Sequence, residues 1–175
     1  MKLGKYFMSK KLKTRKKPII TDTSPLLLLL IGSYDKNAIK GFKRLSEYDS
    51  DDFDLLLQFV ATRKVIVTPQ ILAEVSNFAK MLKDNPDTFS EIIGKNKELL
   101  EKVCEKYIPK NDILSSQELV KFGFTDVSII VAAKENDALV LSDDFLLLGI
   151  CKKNGLDTKY MKEISAWKEV FNASF

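Results

Sequence analysis

Residues 18–31, with the sequence PIITDTSPLLLLLI, contain the strand-to-helix transition that decides the fold. Ile19-Ile20-Thr21 is a short β-branched run, typical of a buried strand, and it leads directly into Asp22. Ser24 followed by Pro25 predicts a helix start, because Ser is a good N-cap and Pro is tolerated in the first helical position. The leucine row then carries this helix to about Ile31. An apolar strand that leads straight into an apolar helix is typical of a parallel sheet covered by helices.

The same alternation of short apolar strands and helices continues along the chain. Further strands are predicted at residues 65–67, 139–141 and 156–161, with 107–109 as an additional candidate. Helices are predicted at residues 38–45, 53–62, 70–82, 89–106, 115–121, 126–136 and 145–153. The sequence therefore predicts an α/β fold of three layers, α/β/α, with a central parallel sheet of about four or five short strands. Residues 18–175 are expected to form a single domain.

Basic residues are concentrated at the start of the chain. The sequence has 28 Lys and Arg against 24 Asp and Glu, for a formal net charge of +4, whereas residues 1–17 hold eight bases and no acid. The remaining residues therefore carry a net charge of −4. We expect residues 1–17 to form a flexible basic arm that binds RNA phosphates, the alternative being a disordered tail that only aids solubility. The candidate RNA-binding residues are Lys10, Lys11, Lys13, Arg15, Lys16 and Lys17.

The absence of histidine excludes several classes of active site. With no His in 175 residues, the chain has no Ser-His-Asp triad, no Cys-His pair and no imidazole-bound zinc or iron. The longest apolar run, residues 26–31, is too short to span a bilayer, and the first residues lack the apolar stretch of a signal peptide. Two cysteines without metal spacing, Cys104 and Cys151, are expected to be buried free thiols in a reducing cytosol, the alternative being a disulfide between them. Together these features predict a cytoplasmic protein that does not enter a membrane.

Four separate segments place a carboxylate at a predicted strand end or helix start. The candidates are Asp22, Glu74, Asp126 and either Asp143 or Asp144. Each acid alone has an ordinary reading as a helix cap or a solvated helix residue. The carboxyl ends of parallel strands are where ligands bind, however, and converging carboxylates repel one another unless a cation lies between them. Carboxylate oxygens suit Mg²⁺ or Mn²⁺, which can activate water without histidine.

These acids lie in segments that resemble the PIN-domain nucleases, a family that includes VapC-type toxins and RNA-processing nucleases. The matching segments are residues 19–26 (IITDTSPL), 67–75 (VTPQILAEV), 123–133 (GFTDVSIIVAA) and 138–145 (ALVLSDDF), in the order and spacing of that family. The resemblance implies a PIN-like three-layer domain that holds one or two Mg²⁺ or Mn²⁺ ions. The catalytic, metal-binding acids that it implies are Asp22, Glu74, Asp126 and Asp143. The supporting residues that it implies are Ser142, Asp144, Thr23 and Ser24, with Asp144 kept as the alternative fourth acid.

The function that this resemblance implies is a Mg²⁺- or Mn²⁺-dependent endoribonuclease, a hydrolase that cuts RNA phosphodiester bonds. Activated water would attack the scissile phosphate in line and leave a 5′-phosphate and a 3′-hydroxyl. Two alternatives stay open. One is a catalytically inactive PIN-like RNA-binding or assembly factor, and the other is a haloacid-dehalogenase-like phosphatase, which would need a second Asp where Ser24 stands. The partners left open are an antitoxin, a ribonucleoprotein component and a second copy of the chain.

Overall fold

The protein is built on a single parallel sheet. A computed structural model describes residues 16–79 and 87–166 of the 175-residue chain. The strands in those ranges are β1 (Ile19–Thr21), β2 (Val65–Val67), β3 (Cys104–Glu105), β4 (Leu139–Ser142) and β5 (Thr158–Tyr160). They form one five-stranded sheet in the order β3-β2-β1-β4-β5, with every neighbouring pair parallel.

Eight α-helices accompany these strands in the described ranges, and together they confirm the predicted three-layer α/β/α fold. The helices are α1 (Thr23–Tyr34), α2 (Ser50–Ala61), α3 (Pro69–Ala79), α4 (Asp87–Lys102), α5 (Lys110–Leu114), α6 (Leu119–Asn136), α7 (Phe145–Lys153) and α8 (Met161–Ser165). Because the strands are parallel, each connection has to return along the sheet through at least one of these helices.

The central strand β1 aligns the carboxyl ends of its two neighbours. Ile20 of β1 pairs with Ile66 of β2 on one side and with Val140 of β4 on the other. The pairing with β4 continues past the end of β1, because the amide of Asp22 donates to the carbonyl oxygen of Leu141 at 2.9 Å. Residues that follow β1, β2 and β4 therefore lie at one edge of the sheet, where parallel α/β folds bind their ligands.

The leucine row forms the central helix of the core. Residues 23–32 of α1 are all buried. A helix that is apolar on all sides has to be surrounded by other elements, and α1 packs against α2, α3 and α4. A close approach occurs at Gly32, where an added Cβ would lie 2.3 Å from the ring of Phe53 in α2. The position of α1 is therefore fixed by packing along most of its length.

The start of α1 differs from the prediction. Asp22, rather than Ser24, is the N-cap, and its side chain accepts a hydrogen bond from the amide of Thr23. The helix consequently begins at Thr23 and continues to Tyr34, beyond the predicted end. A carboxylate placed directly after a strand can accept a helix amide, so no linker separates β1 from α1.

The boundaries of the elements between α1 and β4 depart most from the predicted ones. The third strand is Cys104–Glu105 instead of residues 107–109, because an edge strand that is partly exposed lacks the apolar pattern of a buried one. The predicted helix at 38–45 is replaced by two 3₁₀ turns, Lys36–Ala38 and Lys43–Leu45. The predicted helix at 115–121 is wrong in its limits, since α5 ends before it and α6 begins at Leu119.

A break in α6 precedes the predicted helix start at Asp126. Gly123 has φ of 80° and ψ of −179°, which glycine adopts without the strain that a side chain would add. The break separates the first residues of α6 from the part that contains Thr125 and Asp126. The helix predicted for residues 126–136 is confirmed as this second part of α6.

Three predicted features fall wholly or partly outside the described residues. Most of the basic arm lies there, as do the last residues of the helix predicted for 70–82 and the end of the chain after residue 166. Both cysteines are free, with Cys151 buried and Cys104 half-buried, and burial raises the pKa of the Cys151 thiol to about 12. Among the described helices, none has the length and apolar character needed to cross a membrane.

Candidate active site

Asp22 is a buried carboxylate at the carboxyl end of β1. It is 5% exposed, and its Oδ2 accepts a hydrogen bond from the hydroxyl of Ser142 at 2.6 Å. Its Oδ1 accepts from the amide of Thr23 at 2.5 Å. Burial raises the pKa of Asp22, whereas the two hydrogen bonds lower it because they favour the charged form. Ser142 ends β4, so the register of β1 and β4 brings these side chains together.

Glu74 connects the two segments that carry Asp22 and Asp126. Its Oε2 accepts a hydrogen bond from the hydroxyl of Thr23 at 2.9 Å, and its Oε1 accepts one from the hydroxyl of Thr125 at 2.5 Å. Thr23 directly follows Asp22, and Thr125 directly precedes Asp126. A single carboxylate of α3 therefore joins the start of α1 to the second part of α6.

Two buried hydroxyl groups, those of Thr68 and Ser128, hold the start of α3 against α6. The Oγ1 of Thr68 and the Oγ of Ser128 are both buried and lie 2.8 Å apart. Ser128 also donates to the carbonyl oxygen of Thr125 at 2.7 Å. These bonds fix the backbone beside Thr125, and they support the position from which its hydroxyl reaches Glu74.

Asp126 is partly buried beside three other acids. Its pKa is raised to about 7, and burial is the largest cause. The negative charges of Asp22, Asp144 and Glu74 raise this pKa further. The positive charge of Arg44 lowers it. Carboxylates from three other segments are therefore close enough to Asp126 to raise its pKa.

The two adjacent acids after β4 occupy different positions. Asp144 is the N-cap of α7, and its Oδ1 accepts from the amide of Leu146 at 2.6 Å. Asp143 instead accepts a hydrogen bond from the hydroxyl of Tyr48 at 3.3 Å. The charge of Asp143 raises the pKa of Asp22, while that of Asp144 raises the pKa of Asp126. Asp143 stays the predicted fourth acid, and Asp144 has a helix-capping role that Asp143 lacks.

Arg44 and Tyr48 are site residues that the sequence analysis missed. The Nε of Arg44 donates to the hydroxyl of Ser24 at 2.9 Å, and its guanidinium lies 4.5 Å from the centroid of the Phe78 ring. Its charge lowers the pKa of Asp22. Both residues lie in or near short 3₁₀ turns, which have no apolar period, so no sequence pattern marked them. Tertiary packing alone brings them to the site.

A cleft opens at this edge of the sheet beside the acids. Its volume is about 460 Å³, and it has both charged and apolar walls. The lining residues are Ser24, Arg44, Asp143, Asp144, Phe145 and Leu146.

The donor atoms at this site fit a hard divalent cation by their chemistry. The predicted ligands are all carboxylates, which Mg²⁺ and Mn²⁺ prefer, and a cation would relieve the repulsion that raises the pKa of Asp126. Within residues 16–79 and 87–166, however, no group of three or more Asp, Glu or Cys side chains is arranged to hold a metal ion. The oxygens of Asp22 and Glu74 accept hydrogen bonds from hydroxyl and amide groups instead.

Two of the candidate RNA-binding residues fall within the described ranges, and they lie away from the acids. Lys17 pairs with Asp137 at 2.6 Å and with Asp157 at 2.8 Å, and the hydrogen bond to Asp137 is the largest cause that raises the pKa of Lys17 to about 12. Lys16 lies 3.4 Å from the hydroxyl of Thr62. Both precede β1, at the opposite edge of the sheet from the candidate site. The remaining candidates, outside the described residues, are Lys10, Lys11, Lys13 and Arg15.

Comparison with known proteins adds little to this geometry. No protein-family model and no curated protein sequence matches the chain. Among solved structures, a domain of a functionally unknown protein from Methanocaldococcus jannaschii DSM 2661 is similar over 83% of this chain and 91% of that chain, with 16% sequence identity and a TM-score of 0.43. A likeness at this level carries no argument about function.

Proposed function

We propose that this chain is a Mg²⁺- or Mn²⁺-dependent endoribonuclease of the PIN-domain type. The observation that carries the proposal is the pair of hydrogen bonds that Glu74 accepts from Thr23 and Thr125. These bonds join the segments that carry Asp22 and Asp126 to Glu74, and these three are among the acids that the family resemblance implies as metal ligands. They lie near the carboxyl ends of the strands, which is where parallel α/β folds bind their ligands.

The side chains of the site have three kinds of role in the proposed reaction: holding the ion, orienting an acid and facing the phosphate. Asp22, Glu74, Asp126 and Asp143 would hold the ion, which when bound supplies an activated water and neutralises charge on the phosphate. Ser142 orients Asp22 through its 2.6 Å hydrogen bond. Thr23 and Thr125 orient Glu74 in the same way. Arg44 offers a fixed positive charge to the scissile phosphate. The proposed products are a 5′-phosphate and a 3′-hydroxyl.

Cleavage of a mixed single-stranded RNA pool in Mn²⁺ tests this proposal. We expect the wild-type protein to cut the RNA, a chelator to abolish cleavage, and Asp126→Asn and Glu74→Gln to lower the rate by at least about 100-fold, since even indirect changes at metal sites cost about 10- to 100-fold. The ends of the products, mapped by their reactivity with a kinase and a ligase, should be 5′-phosphate and 3′-hydroxyl.

Asp112→Asn is the matched control for these variants. Asp112 is exposed in α5, so its substitution removes the same charge without touching the site. Its rate should equal that of the wild type. Equal cleavage by the Asp126→Asn and Asp112→Asn proteins would show that the acids do not carry the activity.

A non-catalytic RNA-binding or assembly role is the second candidate. The observation that favours it is that, in the described part of the chain, the acids are engaged by hydroxyl and amide donors and are not grouped as metal ligands. Binding of RNA that is unaffected by Mn²⁺, without cleavage in any divalent ion, would support this role instead. The phosphatase alternative is weaker. Its chemistry needs a second acid at the position of Ser24, and the Ser24 hydroxyl instead accepts a hydrogen bond from Arg44.

The setting of the proposed activity follows from the nature of its substrate. RNA as substrate, together with two free thiols, favours a cytoplasmic protein. A VapC-type toxin would bind an antitoxin, whereas an RNA-processing nuclease would assemble with ribonucleoproteins. Either kind of protein can act as a homodimer, and the sequence left all three partners open.

A further inference from the structure

The cleft beside the acids combines an exposed aromatic ring with an anchored guanidinium. Phe145 is 66% exposed and Leu146 is 67% exposed, although both lie in the first turn of α7 at the rim of the cleft. Arg44 lines the same cleft. Single exposed apolar residues are common on proteins, but here two adjacent ones stand beside a cation and two carboxylates.

The ring of Phe145 is held in place by the sheet. It packs on Tyr160 with ring centroids 4.2 Å apart and an interplanar angle of 35°. Tyr160 ends β5 and pairs with Ser142 of β4, so its ring is positioned by the strand register. The Asp144 cap fixes the first turn of α7 from the other side. One side of the Phe145 ring is thus supported by Tyr160, and the exposed remainder is available to another flat group.

The guanidinium of Arg44 is also fixed, by two contacts that leave its fork available. Its Nε donates a hydrogen bond to the hydroxyl of Ser24, and its Cζ lies 4.5 Å from the centroid of the Phe78 ring. The hydrogen bond to Ser24 uses only Nε, and the two Nη groups form the planar fork that recognises phosphate. Ser24 is buried, so this anchor cannot move far.

We propose that the cleft is a nucleotide subsite, in which an unpaired base stacks on Phe145 and the adjoining phosphate binds Arg44. This proposal rests on the proposed function and deepens it. The cleft is shallow and open, and its volume of about 460 Å³ leaves room for one nucleotide against its wall. An apolar protein segment would instead desolvate the two Nη groups of Arg44 without offering them an anion, which is costly. A base within a duplex cannot offer its face to the ring, so the subsite selects single strands.

Stacking on one aromatic ring has a defined consequence for sequence preference. Every base has a π face, so such a platform is tolerant of sequence, and purines bind somewhat better because they stack more strongly. The subsite therefore selects unpaired nucleotides more strongly than it selects any particular base.

The test uses a short single-stranded RNA with 2-aminopurine at one position, titrated with the full chain in Ca²⁺. Stacking quenches 2-aminopurine fluorescence, and anisotropy of the same RNA gives Kd. We expect Phe145→Leu to abolish the quenching and to weaken binding by about tenfold, within the range for loss of one stacked base. Arg44→Gln should retain quenching at saturation but lower the slope of log Kd against log[KCl] by about 0.7, the value for one lost phosphate contact with a single strand.

Tyr107→Leu is the matched control. Tyr107 is an exposed aromatic, 74% accessible, that follows β3 at the opposite side of the sheet from β5. This variant should bind and quench as the wild type does, and melting curves should show all three variants folded. Wild-type quenching and affinity in Phe145→Leu, or no quenching by the wild type, would overturn the subsite.

The subsite and the proposed nuclease function can fail separately. Quenching that depends on Phe145, with no cleavage by the wild type in Mn²⁺, would leave the subsite in place and contradict the nuclease. Cleavage by the wild type, with Phe145→Leu and Arg44→Gln unchanged in binding, would support the nuclease and contradict the subsite.

Discussion

The charge of Asp126 links the chemistry of the site to the stability of the fold. Its pKa is raised from 3.8 to about 7, so the folded protein retains a proton there that the unfolded chain has already lost above about pH 4. The stability that this group contributes is complete below the unfolded pKa and is lost as the pH rises to about 7. Because Asp126 is only partly buried, we discount the loss for solvent screening to about 1 to 2 kcal/mol.

Replacing Asp126 should therefore change how stability depends on pH. Without divalent ions, the wild-type free energy of unfolding should be lower at pH 8 than at pH 5, and Asp126→Asn should remove about 1 to 2 kcal/mol of that difference. Denaturant unfolding in EDTA at the two pH values measures this effect. Asp112→Asn should keep the wild-type difference, and an Asp126→Asn protein with that same difference would contradict the raised pKa.

At the scale of single residues, the sequence indicated the candidate acids and two of the groups that donate to them, Ser142 and Thr23, but not Thr125 or Arg44. Asp22 was recognisable because an apolar strand runs into it, Glu74 because it lies in the first turns of the helix after a strand, and Asp126 because a helix was predicted to begin there. Thr125 could be read only as a helix cap, although its hydroxyl donates to Glu74. Arg44 was invisible, because its approach to Ser24 depends on how residues distant in sequence pack.

At the scale of elements, helix packing in the core depends on one close approach. An added Cβ at Gly32 in α1 would lie 2.3 Å from the Phe53 ring in α2, and Phe53 is buried. At Gly94 in α4, by contrast, an added Cβ would have no other atom within 4 Å. Both glycines are inside helices, so each costs about 1 kcal/mol relative to Ala in helix propensity. Only the surroundings of the two residues differ.

Alanine at these two glycines should therefore change stability in opposite directions. Gly32→Ala should destabilise the protein by about 1 to 3 kcal/mol, because overpacking against the ring outweighs the gain in propensity. Gly94→Ala should stabilise it by up to about 1 kcal/mol. Denaturant unfolding of both variants measures the difference. A Gly32→Ala protein as stable as Gly94→Ala would show that α1 and α2 do not pack as described.

The strands β2 and β4 were predicted with their limits nearly correct, while the edge strand β3 was not. Residues 65–67 and 139–141 carry apolar side chains because helices cover them, and that burial leaves a signal in the sequence. The edge strand Cys104–Glu105 needs no such side chains and left none. The N-cap of α1 was misplaced for a different reason, since Asp22 serves both as the cap and as a buried acid of the site.

At the scale of the whole molecule, the net charge of +4 conceals two regions of opposite sign. Residues 1–15 hold six basic residues and no acid, and the chain after residue 17 carries −4. The described residues Lys16 and Lys17 are placed before β1, and Lys17 is already paired with two acids. The six bases that precede Lys16 carry most of the positive charge of the arm, so a test of RNA binding by the arm starts with them.

Neutralising those six bases should consequently weaken RNA binding mainly at low salt. Each contact with a phosphate of single-stranded RNA adds about 0.7 to the slope of log Kd against log[salt], so replacing all six by Gln should lower the slope by up to about 4. Gln replacement is preferable to deletion because the chain length and the Lys17 ion pairs are kept. A variant with Lys95, Lys97 and Lys102 of α4 replaced by Gln is the control for unspecific loss of positive charge. If the arm variant keeps the wild-type slope, the arm does not bind the RNA and serves only solubility. The same conclusion follows if its slope falls, per charge removed, by no more than the slope of the α4 variant does.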